Sequence, residues 1–155
     1  AFNLPLPNTS YAVKIADMDL DGKPDIIASG SPSVTIFRNN SNIGTITVSD
    51  FSNSYQTVST GSSTIQAIAI GDLDGDFKPE IITANNFTDN ISIFRNQTSV
   101  GTLTASAFSS PTNLSSVSRA YDIGLSDLDG DSKLDIVISS SNSNFIDIFR
   151  NVTSI

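Results

Sequence analysis

Asp17-Met18-Asp19-Leu20-Asp21-Gly22-Lys23-Pro24-Asp25 is a nonapeptide with acids at its first, third, fifth and ninth positions. It recurs as Asp72-Leu73-Asp74-Gly75-Asp76-Phe77-Lys78-Pro79-Glu80 and as Asp127-Leu128-Asp129-Gly130-Asp131-Ser132-Lys133-Leu134-Asp135, at two equal intervals of 55 residues. Four carboxylates within nine residues repel one another unless a cation sits among them. Hard oxygen donors at alternating positions suit Ca2+.

Of the 16 acidic residues, 12 belong to these loops, four in each. The net charge of −8 is therefore local, and three Ca2+ ions would reduce it to −2. No basic stripe exists to neutralise phosphates, so nucleic acid is not an expected partner. With neither cysteine nor histidine in the sequence, disulfides, thiolate or imidazole zinc sites and a Ser-His-Asp triad are excluded. No apolar run approaches the ~20 residues that span a bilayer. The opening AFNLPLPNTS does not read as a signal peptide, so any export signal is expected outside this sequence. An extracellular, secreted or cell-surface location is expected from the acidic loops, because Ca2+ is abundant enough there to fill modest sites.

Outward from each nonapeptide the pattern is β. The preceding segments, residues 11–16, 65–71 and 121–126, alternate their large residues: Val13 and Ile15, Ile68 and Ile70, Ile123 and Leu125. Their other face holds Ala12, Ala16, Ala67, Ala69, Gly71, Gly124 and Ser126, small enough to let neighbouring sheets approach closely. A second β-rich run follows each loop at 25–29, 80–84 and 135–139, giving a strand, a tight acidic turn and a strand. Third strands are expected at 33–39, 90–96 and 145–151, each ending in Phe-Arg-Asn. Fourth strands are expected twice after a Gly-Thr turn, at 44–51 and 101–108, where Thr alternates with aliphatic residues. The Ser/Thr/Asn-rich stretch 52–64 reads as a surface loop, and nothing reads as a helix.

Four antiparallel strands repeated at this spacing imply an all-β chain, a β-propeller with three four-stranded blades. The expected units are residues 1–51, 52–108 and 109–155, the last lacking its fourth strand. The repeats resemble the FG-GAP/VCBS family, the blade type also found in integrin α-subunit heads, with its DxDxDGxxD-like loop matched at 17–25, 72–80 and 127–135. That resemblance implies Ca2+ in each loop, held by side chains at positions 1, 3, 5 and 9 and a main-chain carbonyl at position 7. The implied ligands are Asp17, Asp19, Asp21, Lys23 and Asp25; Asp72, Asp74, Asp76, Lys78 and Glu80; and Asp127, Asp129, Asp131, Lys133 and Asp135.

Two departures single out the second loop. The family favours glycine at positions 4 and 6, and a positive φ at position 6 would strain Phe77. Glu80 must also fold in an extra methylene. An EF-hand is excluded because position 12 holds Ala28, Thr83 and Ile138 instead of glutamate.

Three function classes follow. The leading one is a non-catalytic, Ca2+-stabilised module for adhesion or recognition of an extracellular protein or glycan. The others are a propeller of a polysaccharide-degrading enzyme and a purely architectural assembly unit. Outside the loops only Asp50, Asp89, Asp122 and Asp147 remain as acids, and no two form a recognisable catalytic pair. A partner surface is expected on the rim opposite the acidic loops, with Tyr55, Phe87, Arg119 and Tyr121 as its first candidates. Propellers close with about four to eight blades. Three repeats are therefore expected either to form a homo-oligomer, two chains giving six blades, or to belong to a longer propeller. Seven Asn-x-Ser/Thr triplets occur, at Asn8, Asn39, Asn86, Asn90, Asn96, Asn113 and Asn151, as many as this composition produces by chance, so glycosylation is not inferred.

Overall fold

The computed structural model describes residues 1–52, 55–61, 64–115 and 118–153. They form three antiparallel sheets. Sheet I has the order β1 (Val13–Ala16), β2 (Asp25–Ser29), β3 (Ser33–Phe37) and β4 (Tyr55–Ser59). Sheet II has β5 (Ile65–Gly71), β6 (Glu80–Asn85), β7 (Asn90–Phe94) and β8 (Thr112–Ser115). Sheet III has β9 (Ala120–Ser126), β10 (Asp135–Ser140) and β11 (Ile146–Phe149). The expected all-β class, with consecutive antiparallel strands, is what forms. No helix among the described residues is long and apolar enough to cross a membrane.

Each acidic loop is bracketed by one cross-strand pair at the same register: Ala16 with Asp25, Gly71 with Glu80, and Ser126 with Asp135. The period-2 pattern then sends alternate residues to opposite faces. Ile27, Val34, Ile36 and Val58 of sheet I meet Ile65, Ile68, Ile81 and Phe94 of sheet II in one core. The other face of sheet II supplies Ala67, Ala69, Ile82, Ala84 and Ile91 to a second core, against Ala120, Ile123, Ile136 and Ile138 of sheet III. Small residues make that approach possible. A Cβ on Gly71 would lie 2.8 Å from Leu125 Cδ1 and 2.9 Å from Leu134 Cδ1.

The fourth strands are not where the alternation placed them. Residues 44–51 carry a turn and a one-turn helix, α1 (Ser49–Ser52), while 101–108 carry two isolated bridges and a 3-10 turn at Ala105–Ala107. The pairing strands are β4 and β8, beyond the expected unit boundaries at 51/52 and 108/109. Local hydrogen bonding accounts for the first case. Asp50 Oδ2 accepts from both the Thr47 amide, at 2.7 Å, and the Thr47 hydroxyl, at 2.8 Å, a Thr-x-x-Asp cap that favours a helical turn over extension. In the second repeat Leu103 and Phe108 are anchors, buried between sheets I and II. β4 looks like a loop in the sequence because Val58 is its sole buried residue.

Candidate metal centres

All three acidic loops take one conformation. Positions 4 and 6 both have positive φ: Leu20 57° and Gly22 87°, Gly75 79° and Phe77 67°, Gly130 81° and Ser132 68°. Each loop thus has one glycine and one side-chain-bearing residue in the left-handed region. The expected strain at Phe77 is present, and Leu20 and Ser132 share it.

These reversals point amides inward at the first carboxylate. Asp17 accepts from the Asp21 amide at 3.1 Å and the Gly22 amide at 2.8 Å. Asp72 accepts from Gly75 at 2.7 Å and Phe77 at 2.8 Å, and Asp127 from Gly130 at 2.8 Å and Ser132 at 2.9 Å. Position 5 accepts from the amide of position 7: Lys23 to Asp21 at 2.9 Å, Lys78 to Asp76 at 2.9 Å and Lys133 to Asp131 at 3.0 Å.

Position 9 is a buried brace. Asp25 accepts from the Met18 amide at 2.9 Å and the Asn39 amide at 2.8 Å. Glu80 does the same with Leu73 at 2.7 Å and Asn96 at 3.2 Å, so its extra methylene is accommodated without loss of either bond. Asp135 repeats the pattern with Leu128 at 2.9 Å and Asn151 at 2.8 Å. Burial pushes Asp25 up to about 6 and Glu80 up to about 7, against the pull of these same amides and helped by neighbouring carboxylates.

Three carboxylates converge in each loop with ligand atoms within 4.8 Å of one another: Asp17, Asp19 and Asp25; Asp72, Asp74 and Glu80; Asp127, Asp129 and Asp135. Positions 5, namely Asp21, Asp76 and Asp131, stand outside these groups. An arginine lies beside each cluster. Arg38 Nε donates to Asp19 Oδ2 and its Nη2 to Asp21 Oδ2, both at 2.6 Å. Arg95 pairs with Asp74, and Arg150 with Asp129 and, at 3.2 Å, Asp131. Its guanidinium holds the exposed Asp129 carboxyl below the usual range. Arg38 leaves one atom unanswered. Asp19 is fully buried, and its Oδ1 has no hydrogen-bond partner. A buried carboxylate oxygen left bare is costly unless a cation faces it, and the donor set around it is entirely oxygen, as Ca2+ requires.

Sequence reasoning passed over the arginines and the asparagines after them, although Ile-Phe-Arg-Asn recurs at 36–39, 93–96 and 148–151. The asparagines join one repeat to the next. Asn96 Nδ2 donates to Pro79 O of its own loop at 3.1 Å and to Met18 O of the previous loop at 2.9 Å; Thr98 Oγ1 adds a bond to Met18 O at 3.1 Å. Asn151 donates likewise to Leu134 O at 3.2 Å and Leu73 O at 2.7 Å, with Thr153 adding 3.3 Å to Leu73 O. A cavity of about 540 Å³ opens between sheets II and III, where Leu73, Ile93, Leu114 and Phe149 line it. The corresponding space between sheets I and II contains Leu103 and Phe108.

On the opposite rim the structure brings together Phe87 and Arg119, whose guanidinium lies 5.6 Å from the ring centroid, while the Arg119 amide donates to Asp89 at 2.7 Å. Tyr121 is half-exposed nearby in sequence, at the start of β9. Tyr55 does not belong there. It pairs with Phe37 at the end of β3 that leads to Arg38, its ring 5.7 Å from that of Phe37, on the acidic-loop side.

No curated protein compared with the chain matches it. The FG-GAP-like repeat matches at residues 17–83 and again at 72–138, each match running from one acidic loop through the next. With that span, and with one hairpin geometry recurring in every sheet, the chain belongs to the FG-GAP-like repeat family.

Proposed function

We propose that the chain is a non-catalytic, calcium-stabilised β-propeller module that serves recognition or adhesion outside the cell, its ring completed by other copies or by a longer chain. The bare, buried Asp19 Oδ1, on a member of the first of three repeated carboxylate clusters, carries this reading. Asp17, Asp19, Asp21 and Asp25 with the Lys23 carbonyl would hold the first ion; Asp72, Asp74, Asp76 and Glu80 with that of Lys78 the second; Asp127, Asp129, Asp131 and Asp135 with that of Lys133 the third. The ion supplies positive charge that lets buried carboxylates stay ionised. The chain's own residues do the rest: left-handed turns aim the loop amides, position 9 ties the loop to the strand ends, and an arginine pairs with the position 3 carboxylate of each loop. No step of bond chemistry is assigned to these groups. The Phe87–Arg119 rim, away from the loops, is the surface proposed for an extracellular protein or glycan.

Thermal unfolding in Ca2+ and in EDTA tests the metal reading. Ca2+ raises Tm, EDTA lowers it, and Asp19→Asn shrinks the difference. A melting temperature indifferent to both reagents defeats it.

A further inference from the structure

The two outer sheets expose what the middle sheet buries. Aligned by the 55-residue period, Val13 of β1 corresponds to Ile68 and Ile15 to Ile70; Val13 is 60% exposed where Ile68 is 1%. Aligned by the Gly-Thr turn that opens 44–51 and 101–108, Ile46 corresponds to the anchor Leu103, and is 62% exposed against 7%. At the other end Leu128 corresponds to Met18 and Leu73, and is 54% exposed against 0% and 9%. Aligned by the recurrent Ile-Phe-Arg-Asn, Ile146 and Ile148 correspond to Val34 and Ile36, core residues of the first sheet. One end of the chain therefore presents the preceding side of the sheet-to-sheet contact and the other end its following side. Both contacts inside the chain are made from these two sides.

The polar latch is divided in the same way. Asn96 and Asn151 each use Nδ2 twice, once within their loop and once on the previous loop. Among the described residues Asn39 Nδ2 donates to Pro24 O alone, at 2.9 Å, and Ser41 occupies the place of Thr98. The carbonyl equivalent to those of Met18 and Leu73 is that of Leu128, at the far end.

We infer that a second copy of this chain docks head to tail, sheet I of one copy against sheet III of the next, with Asn39 and Ser41 of the first latched to the Leu128 carbonyl of the second. The occupant is a copy because the two faces are the halves of a contact the chain already makes twice, and one chain carries both. Such an interface is heterologous, so it closes a ring or extends according to the rotation per copy. The inference rests on the module reading above but not on metal: the melting experiment and the association experiment fail separately.

Sedimentation velocity in Ca2+ on the whole chain is the test, with Ile15→Arg blocking one face and Ile148→Arg, outside the acidic loop, the other. Both side chains are exposed, so each variant keeps the monomer's circular dichroism and melting temperature. Wild type associates, each variant alone is monomeric, and their equimolar mixture gives a one-to-one dimer and nothing larger. Ser41→Ala weakens association about five-fold, the worth of one neutral hydrogen bond. A wild type that stays monomeric to about 1 mM overturns the proposal and leaves the faces to something other than a copy. Variants that associate like wild type, or a mixture that does not associate, also overturn it, and an unchanged Kd for Ser41→Ala overturns the latch.

Discussion

Replacing Asn96 by alanine tests whether the repeats are joined by a side-chain latch or only by apolar faces. Asn96 is fully buried, donates to Met18 O and Pro79 O, and accepts from the Thr98 amide at 3.0 Å. At ~1 kcal/mol net for each hydrogen bond, losing three costs about 3 kcal/mol. Asn39→Ala is the internal control. It removes the bond to Pro24 O and the acceptor of the Ser41 amide, at 2.9 Å, but no bond to another repeat, and so costs about 2 kcal/mol. The difference of ~1 kcal/mol isolates the bond across repeats and corresponds to roughly 2–4 °C in Tm for a chain of this size. Urea unfolding in saturating Ca2+, at a dilution where the chain is monomeric, provides both numbers. Adding Thr98→Ala to Asn96→Ala strips the Met18 carbonyl of both side-chain donors, and the pair costs more than the sum of its parts. If Asn39→Ala proves as costly as Asn96→Ala, the latch contributes nothing between repeats.

Three further outcomes follow from the loops and the sheet contact. In EDTA, Asp25 and Glu80 bind protons more tightly folded than unfolded. Their contribution is fully present below about pH 4 and is lost as pH rises through about 6 for Asp25 and 7 for Glu80. Urea midpoints of the metal-free protein should therefore fall over that window more steeply for wild type than for Glu80→Gln, and parallel curves would refute it. Ca2+ affinity, which needs the ionised carboxylates, rises across the same window. Phe77→Gly relieves a left-handed residue whose ring is 84% exposed, and should stabilise the protein by up to ~1 kcal/mol; a loss of stability would show that the ring packs in solution. Gly71→Ala places a Cβ against Leu125 and Leu134 and should cost about 1–3 kcal/mol, whereas a neutral effect would mean that sheets II and III separate easily.

The hairpins around the acidic loops were legible because three independent signals coincide in them: period-2 alternation, an acidic turn between two strands, and a fixed spacing. The outer strands had only alternation, and alternation was outvoted. At 44–51 the Thr47–Asp50 cap turned an apparent strand into a helical turn, and its Thr-x-x-Asp spelling was visible in the sequence. At 55–59 a single inward valine gave too little pattern to separate a strand from a loop. The acidic positions were readable, but not their division of labour. In the first loop Asp25 is a brace and Asp21 faces arginine because of residues that arrive from the end of the third strand, 14 and 17 positions away. The latch was harder still. Its donors and acceptors are 78 and 80 residues apart, a separation at which only the recurrence of Ile-Phe-Arg-Asn hinted at a shared task.

That latch is spelled in the letters of a glycosylation acceptor: Asn96-Gln97-Thr98 and Asn151-Val152-Thr153 both read Asn-x-Ser/Thr. In a eukaryotic secretory host an oligosaccharide attached to Asn96 during synthesis would occupy the amide nitrogen that Met18 and Pro79 need, at a site with no room for a sugar. The choice of expression organism thus bears directly on whether this chain can assemble its first two sheets at all.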